Sequence, residues 1–342
     1  MSVQKAAALT IASAAAVFAV IAVGICVGSV FVPPSHIFAV IENKIFGTAL
    51  PDYVPQSDVS IIFSVRMPRV FLAFLVGAAL AASGAAVQSV LNNPLASPFT
   101  LGTSSGASLG ASLVIVFEIS LFGSFTVAFA GLIFAVAAMF FMVAFAKRLD
   151  RSLQSSTVVL TGMVLSLFIS AVVTLIASAA DEKYKQLMRW QNGSFAGRGW
   201  NYDGMMLVML AVCMVILMLN SRELDILTFG DEQAQSVGLN TGRKKTILLV
   251  VSAVLSGTAV SFAGVIGFVD LIAPHIARKI FGAKHKVLIP MSAVTGGIFM
   301  VLCDLAARTV IVPNELPVGV VTSLIGAPFF AFVFFKRRTE GK

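Results

Sequence analysis

Long apolar runs leave this chain very few ways to fold. They cover residues 9–32, 70–90, 104–118, 123–146, 157–180, 204–219, 246–263, 287–307 and 317–335. Most approach or exceed the ~20 residues a helix needs to cross the ~30 Å hydrocarbon layer of a membrane. In that layer every backbone N–H and C=O must find a partner inside the protein, so runs of this length become helices. A shorter apolar piece, 265–282, contains Pro274 and His275 and reads as a tenth crossing, bent or incomplete. The expected fold class is all-α integral membrane, with about ten transmembrane helices in a single unit over 1–342 and no soluble domain. A charged fraction of 12%, against about 25% in soluble chains, agrees. The first run is longer than a signal-peptide core and no clear cleavage site follows it, so it is expected to stay as helix one.

One stretch says what the bundle is for. Arg66 and Arg69 open the run Val70 to Val90, which is lined with Gly77, Ala78, Ala79, Ala81, Ala82, Ser83, Gly84, Ala85 and Ala86. Small residues let helix backbones approach closely in lipid, so this helix should be buried among others. It breaks into Asn92-Asn93-Pro94 and a loop rich in Ser, Pro and Gly. Irregular polar backbone beside a membrane helix is tolerated only inside protein or along a water-filled path. A transport pathway follows from this, rather than an anchor.

Charge supplies the orientation. With the N-terminus inside, ten crossings put 16 of the 24 Lys and Arg on the cytoplasmic side, among them Lys147, Arg148, Arg151, Arg243, Lys244, Lys245, Lys284, Lys286 and Lys342. That two-to-one bias follows the positive-inside rule and places both termini in the cytoplasm of a prokaryote's plasma membrane. The net charge of +8 is then a topology signal, with some contact to anionic lipid, and no nucleic-acid partner is needed. Cys26, Cys213 and Cys303 lie far apart in apolar runs and suggest packing rather than zinc or a disulfide framework.

Two polar connections stand out. The outer one, Asp181 to Asp203, carries Trp190 and Trp200, which suit the interfacial aromatic belt. The inner one holds a segment at about 225–240 in which Asp231 to Val237 can form a two-turn helix between Gly230 and Gly238. Leu227, Ala234 and Val237 could share a small apolar face. A helix this short is unstable alone in water, so it is expected to dock on a cytoplasmic partner or to lie on the bilayer. Two motifs are decoys. Gly102-Thr103-Ser104-Ser105-Gly106 matches a hydrolase elbow but opens a membrane helix. Gly238 to Thr246 has the wrong spacing for a phosphate loop, and Arg243 stands where that motif wants Lys. Neither catalysis nor a metal or cofactor site is expected. Glu118, Asp270 and Asp304 are the few acids near apolar runs, too sparse for a proton relay.

Four blocks together resemble the FecCD-type permeases, the membrane subunits of ABC importers for ferric siderophores, haem and cobalamin. They are RMPRVFLAFLVGAALAASGAAVQSVLNNPLASPFTLGTSSGA at Arg66–Ala107, LTFGDEQAQSVGL at Leu227–Leu239, SFAGVIGFVDLIAPHIAR at Ser261–Arg278, and LCDLAARTVIVPNELPVGVVTSLIGAPFFAFVFFKR at Leu302–Arg337. The resemblance covers ~60–336. It implies the ABC type II importer permease fold, a second permease subunit (the same or a similar chain), two ATP-binding cassette subunits and an extracytoplasmic substrate-binding protein. It further implies that Arg66, Arg69 and Arg308 are exposed arginines that dock the binding protein. Leu227, Gly230, Asp231, Ala234, Val237 and Gly238 would form the ATPase-coupling helix. Asn93, Pro94 and Leu95 with Ser155 and Ser156 would form the cytoplasmic gate. Asp270 departs from the family's usual small residue and is expected near the outer surface, as a path or outer-face acid or a helix cap. The cavity lining is expected to be apolar and rich in small residues, Met and Phe. Ferric siderophore is the first substrate expectation, with haem or cobalamin as alternatives. A proton-coupled secondary transporter and a membrane receptor or scaffold are the rivals from other classes.

Overall fold

A computed structural model describes residues 3–28, 32–150, 153–180 and 183–340, with side chains described within 8–333. Arg151, Asp181 and Lys342 lie outside the described residues.

Helix α1 (Val3–Cys26) leads to a short helix α2 (Pro34–Phe46), which no long apolar run marks. Helix α3 (Gln56–Ser60) continues through a π-helical stretch, Ile61–Arg66, into α4 (Met67–Val90). The result is one 35-residue rod, Gln56–Val90, starting 14 residues earlier than the apolar run alone predicts. From Val76 to Val90 every residue of α4 is buried. A Cβ at Gly77 would overlap the carbonyl oxygen of Gly296, and one at Gly84 would overlap that of Asp270. Close backbone approach is therefore what the small residues provide, and α4 is the axis of the bundle.

Around it stand α5 (Thr103–Val116), α6 (Thr126–Leu149) and α7 (Ser155–Ser178), then the short α8 (Tyr184–Gln191) and α9 (Trp200–Leu219). Two small helices follow, α10 (Ser221–Leu227) and α11 (Asp231–Ser236). The rest comprises α12 (Thr241–Ala263), α13 (Val269–Phe281), α14 (His285–Thr309) and α15 (Val318–Glu340). Among the described residues seven helices are long and apolar enough to cross a membrane, and α5 and the 318–333 part of α15 add two shorter apolar ones. The tenth crossing is composite: the non-helical stretch 264–268 followed by the 13 residues of α13. The crossings alternate, so Lys147, Lys244, Lys245 and Lys284 gather at one end, called here the basic end, and Arg66, Arg69 and Arg308 lie at the other.

Two breaks in helical backbone meet inside the bundle. After α4 ends, residues 91–102 turn back up, and Leu101 is fully buried. A Cβ at Gly162, two turns into α7, would lie 2.5 Å from the Thr100 carbonyl oxygen, which puts this loop at membrane depth. From the opposite end, 264–268 descends from the end of α12. Trp200 fixes that far end, donating its indole N–H to the Phe63 carbonyl at 2.9 Å with its ring tilted against those of Phe63 and Phe71. Glu118 is exposed there and pairs with Lys183, outside the bundle.

Candidate functional site

The sequence expects docking arginines that face outward, and the structure corrects this: Arg66, Arg69 and Arg308 are 5%, 6% and 4% exposed. Helix α1 ends in carbonyls with no intrahelical partner, and the arginines supply donors. Arg66 donates to the carbonyls of Ile25 at 3.0 Å and Cys26 at 2.9 Å, and Arg308 donates to that of Gly24 at 2.6 Å. Asp304, with 0% exposure, accepts from Arg69 at 2.8 and 3.0 Å and lies 3.3 Å from Arg308. Arg69 also donates to both oxygens of Glu315, at 2.9 and 3.0 Å, and Glu315 is 40% exposed. The cluster binds α1, α4 and α14 together, and Glu315 is its open edge.

Asp270 is likewise not near the outer surface. It is 1% exposed, accepts from the Ser97 hydroxyl, and its carbonyl accepts from Gln88 Nε2 at 3.1 Å. Gly84, against which it packs, lies 15 residues, or ~22 Å, along α4 from Arg69. The non-helical 264–268 covers up to ~3.3 Å per residue and carries the chain deep before α13 begins. Asp270 therefore ties the re-entrant loop to α4 and α13. In the first turn of α13 it also favours the helix dipole.

At the basic end the structure brings Asn93, Ser155 and Ser156 together. With Asn92, Gln154 and Met163 they line a cleft of about 590 Å³. Pro94 and Leu95 are exposed beside it, Leu95 at 51%. Asn93 also ends α4: its N–H donates to the Gln88 carbonyl at 2.9 Å and its side-chain oxygen accepts from Leu95 N at 2.9 Å.

Helix α11 forms as the sequence predicts, between Gly230 (φ 100°) and Gly238 (φ 84°), both in the region that favours glycine. The expected shared face of Leu227, Ala234 and Val237 does not form. Leu227 and Ala234 are buried against the body, whereas Val237 is 67% exposed. Asp231 is held inward by Lys245 at 2.6 Å. What the segment offers outward is Val237, Gly238 and Phe229, the last 72% exposed and missed by sequence reasoning. Lys244, in α12, donates to Glu223 of α10 at 2.7 Å and holds that carboxyl below the usual range.

A second cleft, about 680 Å³, opens between α5, α7 and α8, and hydroxyls share its lining with Phe99, Val173, Ala177, Met188 and Val265. Ser104, Ser105 and Ser108 face Ser166, Ser170, Thr174 and Ser178, with Gln191 and Asn192 closing one side. Several of these hydroxyls give their proton to their own helix, Ser105 to Gly102 O, Thr174 to Ser170 O and Ser178 to Leu175 O. Their oxygens remain as acceptors. The four on α7 recur every four residues, a legible signal of one polar helix face hidden among Leu167, Phe168 and Leu175. Among the described residues no cluster of His, Cys, Asp and Glu is placed to hold a metal ion.

Comparison with known proteins agrees with this architecture. The model of the FecCD transport family matches residues 15–336. The cobalamin import system permease protein BtuC of Halobacterium salinarum is 36% identical over 288 residues, 84% of this chain and 76% of that one. The iron(3+)-hydroxamate import system permease protein FhuG of Bacillus subtilis is 34% identical over 286 residues, covering 82% and 84%. Among solved structures, an inward-facing ABC transporter described as of metal-chelate type superposes with a TM-score of 0.76 at 30% identity, over 89% of this chain and all of that one. A ten-crossing helical bundle, a match across nearly its whole length and relatives that are import permeases make this chain a member of the FecCD transport family, a multi-pass ABC permease and a transport subunit.

Proposed function

We propose that this chain imports a ferric siderophore through a path formed with a second permease subunit, supplied by an extracytoplasmic binding protein and driven by two ATPase subunits. The observation that carries the substrate class is the hydroxyl-lined cleft between α5, α7 and α8. Oxygens facing a cavity of this size suit a chelate that brings its own N–H and O–H donors. Haem is the third reading, since its apolar macrocycle would meet Phe99, Val173, Met188 and Val265 of the same lining. Cobalamin, rich in amides, is the second reading, supported by the same lining and by the BtuC relative.

In this reading the basic end is cytoplasmic, with both termini, and the 225–240 segment meets the ATPase through Phe229, Val237 and Gly238. Leu227, Gly230, Asp231 and Ala234 set its shape. The Asn93–Leu95 loop and Ser155–Ser156 form the gate. The arginine cluster docks the binding protein at its open edge, where a partner carboxylate exchanges with Glu315 on Arg69.

The test is radio-iron uptake in cells with and without this chain, presenting hydroxamate, catecholate and citrate chelates, with haem and cobalamin alongside. Loss of a single ferric chelate is the expected result. Loss of cobalamin or haem uptake alone overturns the substrate assignment, and uptake that stops with a protonophore while ATP is intact overturns the ATP-driven mechanism. Ser170→Val is expected to slow uptake of the true substrate about two- to tenfold, the worth of one hydrogen bond, at unchanged expression. A rate equal to that of the unsubstituted chain would remove the cleft from the path.

A further inference from the structure

Two polar contacts, each half-buried, join the α10–α11 segment to the two sides of the basic-end cleft. On one side Asp225, in α10, accepts from the backbone N–H of His285 at 2.9 Å and from its Nδ1 at 2.6 Å. A carboxylate can only accept, so Nδ1 carries the proton and Nε2 is left to meet the Ser89 hydroxyl, its other contact. Ser89 is one residue from the end of α4, and Asn92 and Asn93 of the cleft wall follow directly. On the other side Asp231, first residue of α11, binds Lys245 Nζ at 2.6 Å, and the same ammonium donates to the Leu153 carbonyl at 3.1 Å. Leu153 adjoins Gln154, Ser155 and Ser156, the opposite wall.

Serine, histidine and aspartate in line have the outline of a hydrolytic triad, but the setting excludes that role. Ser89 is 2% exposed and lies within a helix, so no substrate carbonyl can reach it. Burying a histidine and a lysine, at 1% and 2% exposure, has a desolvation cost that only well-made contacts offset. A direct hydrogen bond without intervening water transmits displacement with little slack.

We infer that His285 and Lys245 are positioning residues that convey motion of the α10–α11 segment separately to the two lips of the gate, His285 to the Asn92–Leu95 lip and Lys245 to the Gln154–Ser156 lip. This rests on the importer reading above. It requires that each contact survive while the segment moves, so that cutting one frees one lip only.

The test uses the full complex with its ATPase subunits in inside-out vesicles, in a background lacking Cys26, Cys213 and Cys303. Single cysteines at Leu95 and at Leu160, 51% and 64% exposed, report the two lips through the rate of labelling by an impermeant maleimide. Trapping with ATP and vanadate is expected to change both rates roughly tenfold, a size ordinary for coupled sites. With H285N, which cannot reach Ser89, or with the milder S89A, the change at Leu95 is expected to vanish and that at Leu160 to remain. K245M is expected to do the reverse. Loss at both lips in S89A, or retention at Leu95 in both H285N and S89A, overturns the assignment. No nucleotide response at either lip in the unsubstituted chain overturns the importer reading and this inference with it.

Discussion

Asp304→Asn is expected to lower the stability of the folded protein by about 3–5 kcal/mol, the usual cost of removing one partner from a buried ion pair. Asp304 is fully buried between Arg69 and Arg308. Without its charge, Arg69 is left with Glu315 and Arg308 with the neutral Gly24 carbonyl. Arg69→Met should cost less, because Asp304 keeps Arg308. Glu315→Gln, at the exposed edge, should cost less than ~1 kcal/mol. Thermal unfolding midpoints in detergent rank the three variants. If Asp304→Asn unfolds with the unsubstituted chain, the cluster does not hold α1, α4 and α14 together, and its arginines are free for a partner.

The second large effect belongs to Gly84→Ala. The added methyl would overlap the backbone of Asp270 rather than the tip of a flexible side chain, so α13 must shift as a whole. Overpacking of this kind costs about 1–3 kcal/mol or more. It would also pull Asp270 from Ser97 and loosen the re-entrant loop. Gly204→Ala is the control: nothing lies near the new Cβ, and the higher helix propensity of Ala should raise stability by roughly 0.5–1 kcal/mol. Opposite shifts in unfolding midpoint are expected. A Gly84→Ala protein as stable as its parent would show that α4 and α13 pack less tightly than described.

Most of the crossings were legible because length of apolar run is a one-dimensional property, and burial of α4 was legible because its small residues are contiguous. Helix α2 was not, since Pro33 and Pro34 precede a short, mixed-polarity stretch that owes its helix to contacts with α1 and the π-helical segment. The depth of Asp270 was misjudged because hydropathy cannot tell a descending coil from a surface loop. Grouping of Asn93 with Ser155 and Ser156 came through resemblance, and the structure brings them together. The contacts of His285 escaped sequence reading for a plainer reason. Its partners Asp225 and Ser89 lie 60 and 196 residues away, and nothing local marks a histidine that will meet both.

The composite crossing, 264–281, bears on how such a chain is made. Its helix of 13 residues is too short to partition into lipid on its own as it leaves the ribosome, and the coil before it would expose bare peptide groups to hydrocarbon. Its backbone and side chains find partners on α14 and α15 and on α4 and the re-entrant loop, the last two synthesised some 180 residues earlier. Biogenesis must therefore keep α4 unsealed until the α12–α13 hairpin arrives. Among the described residues the seven full-length helices with α5 and α15 give nine crossings, an odd number that would strand the two chain ends on opposite faces. The short segment restores the parity, and with it the sidedness of every loop that follows.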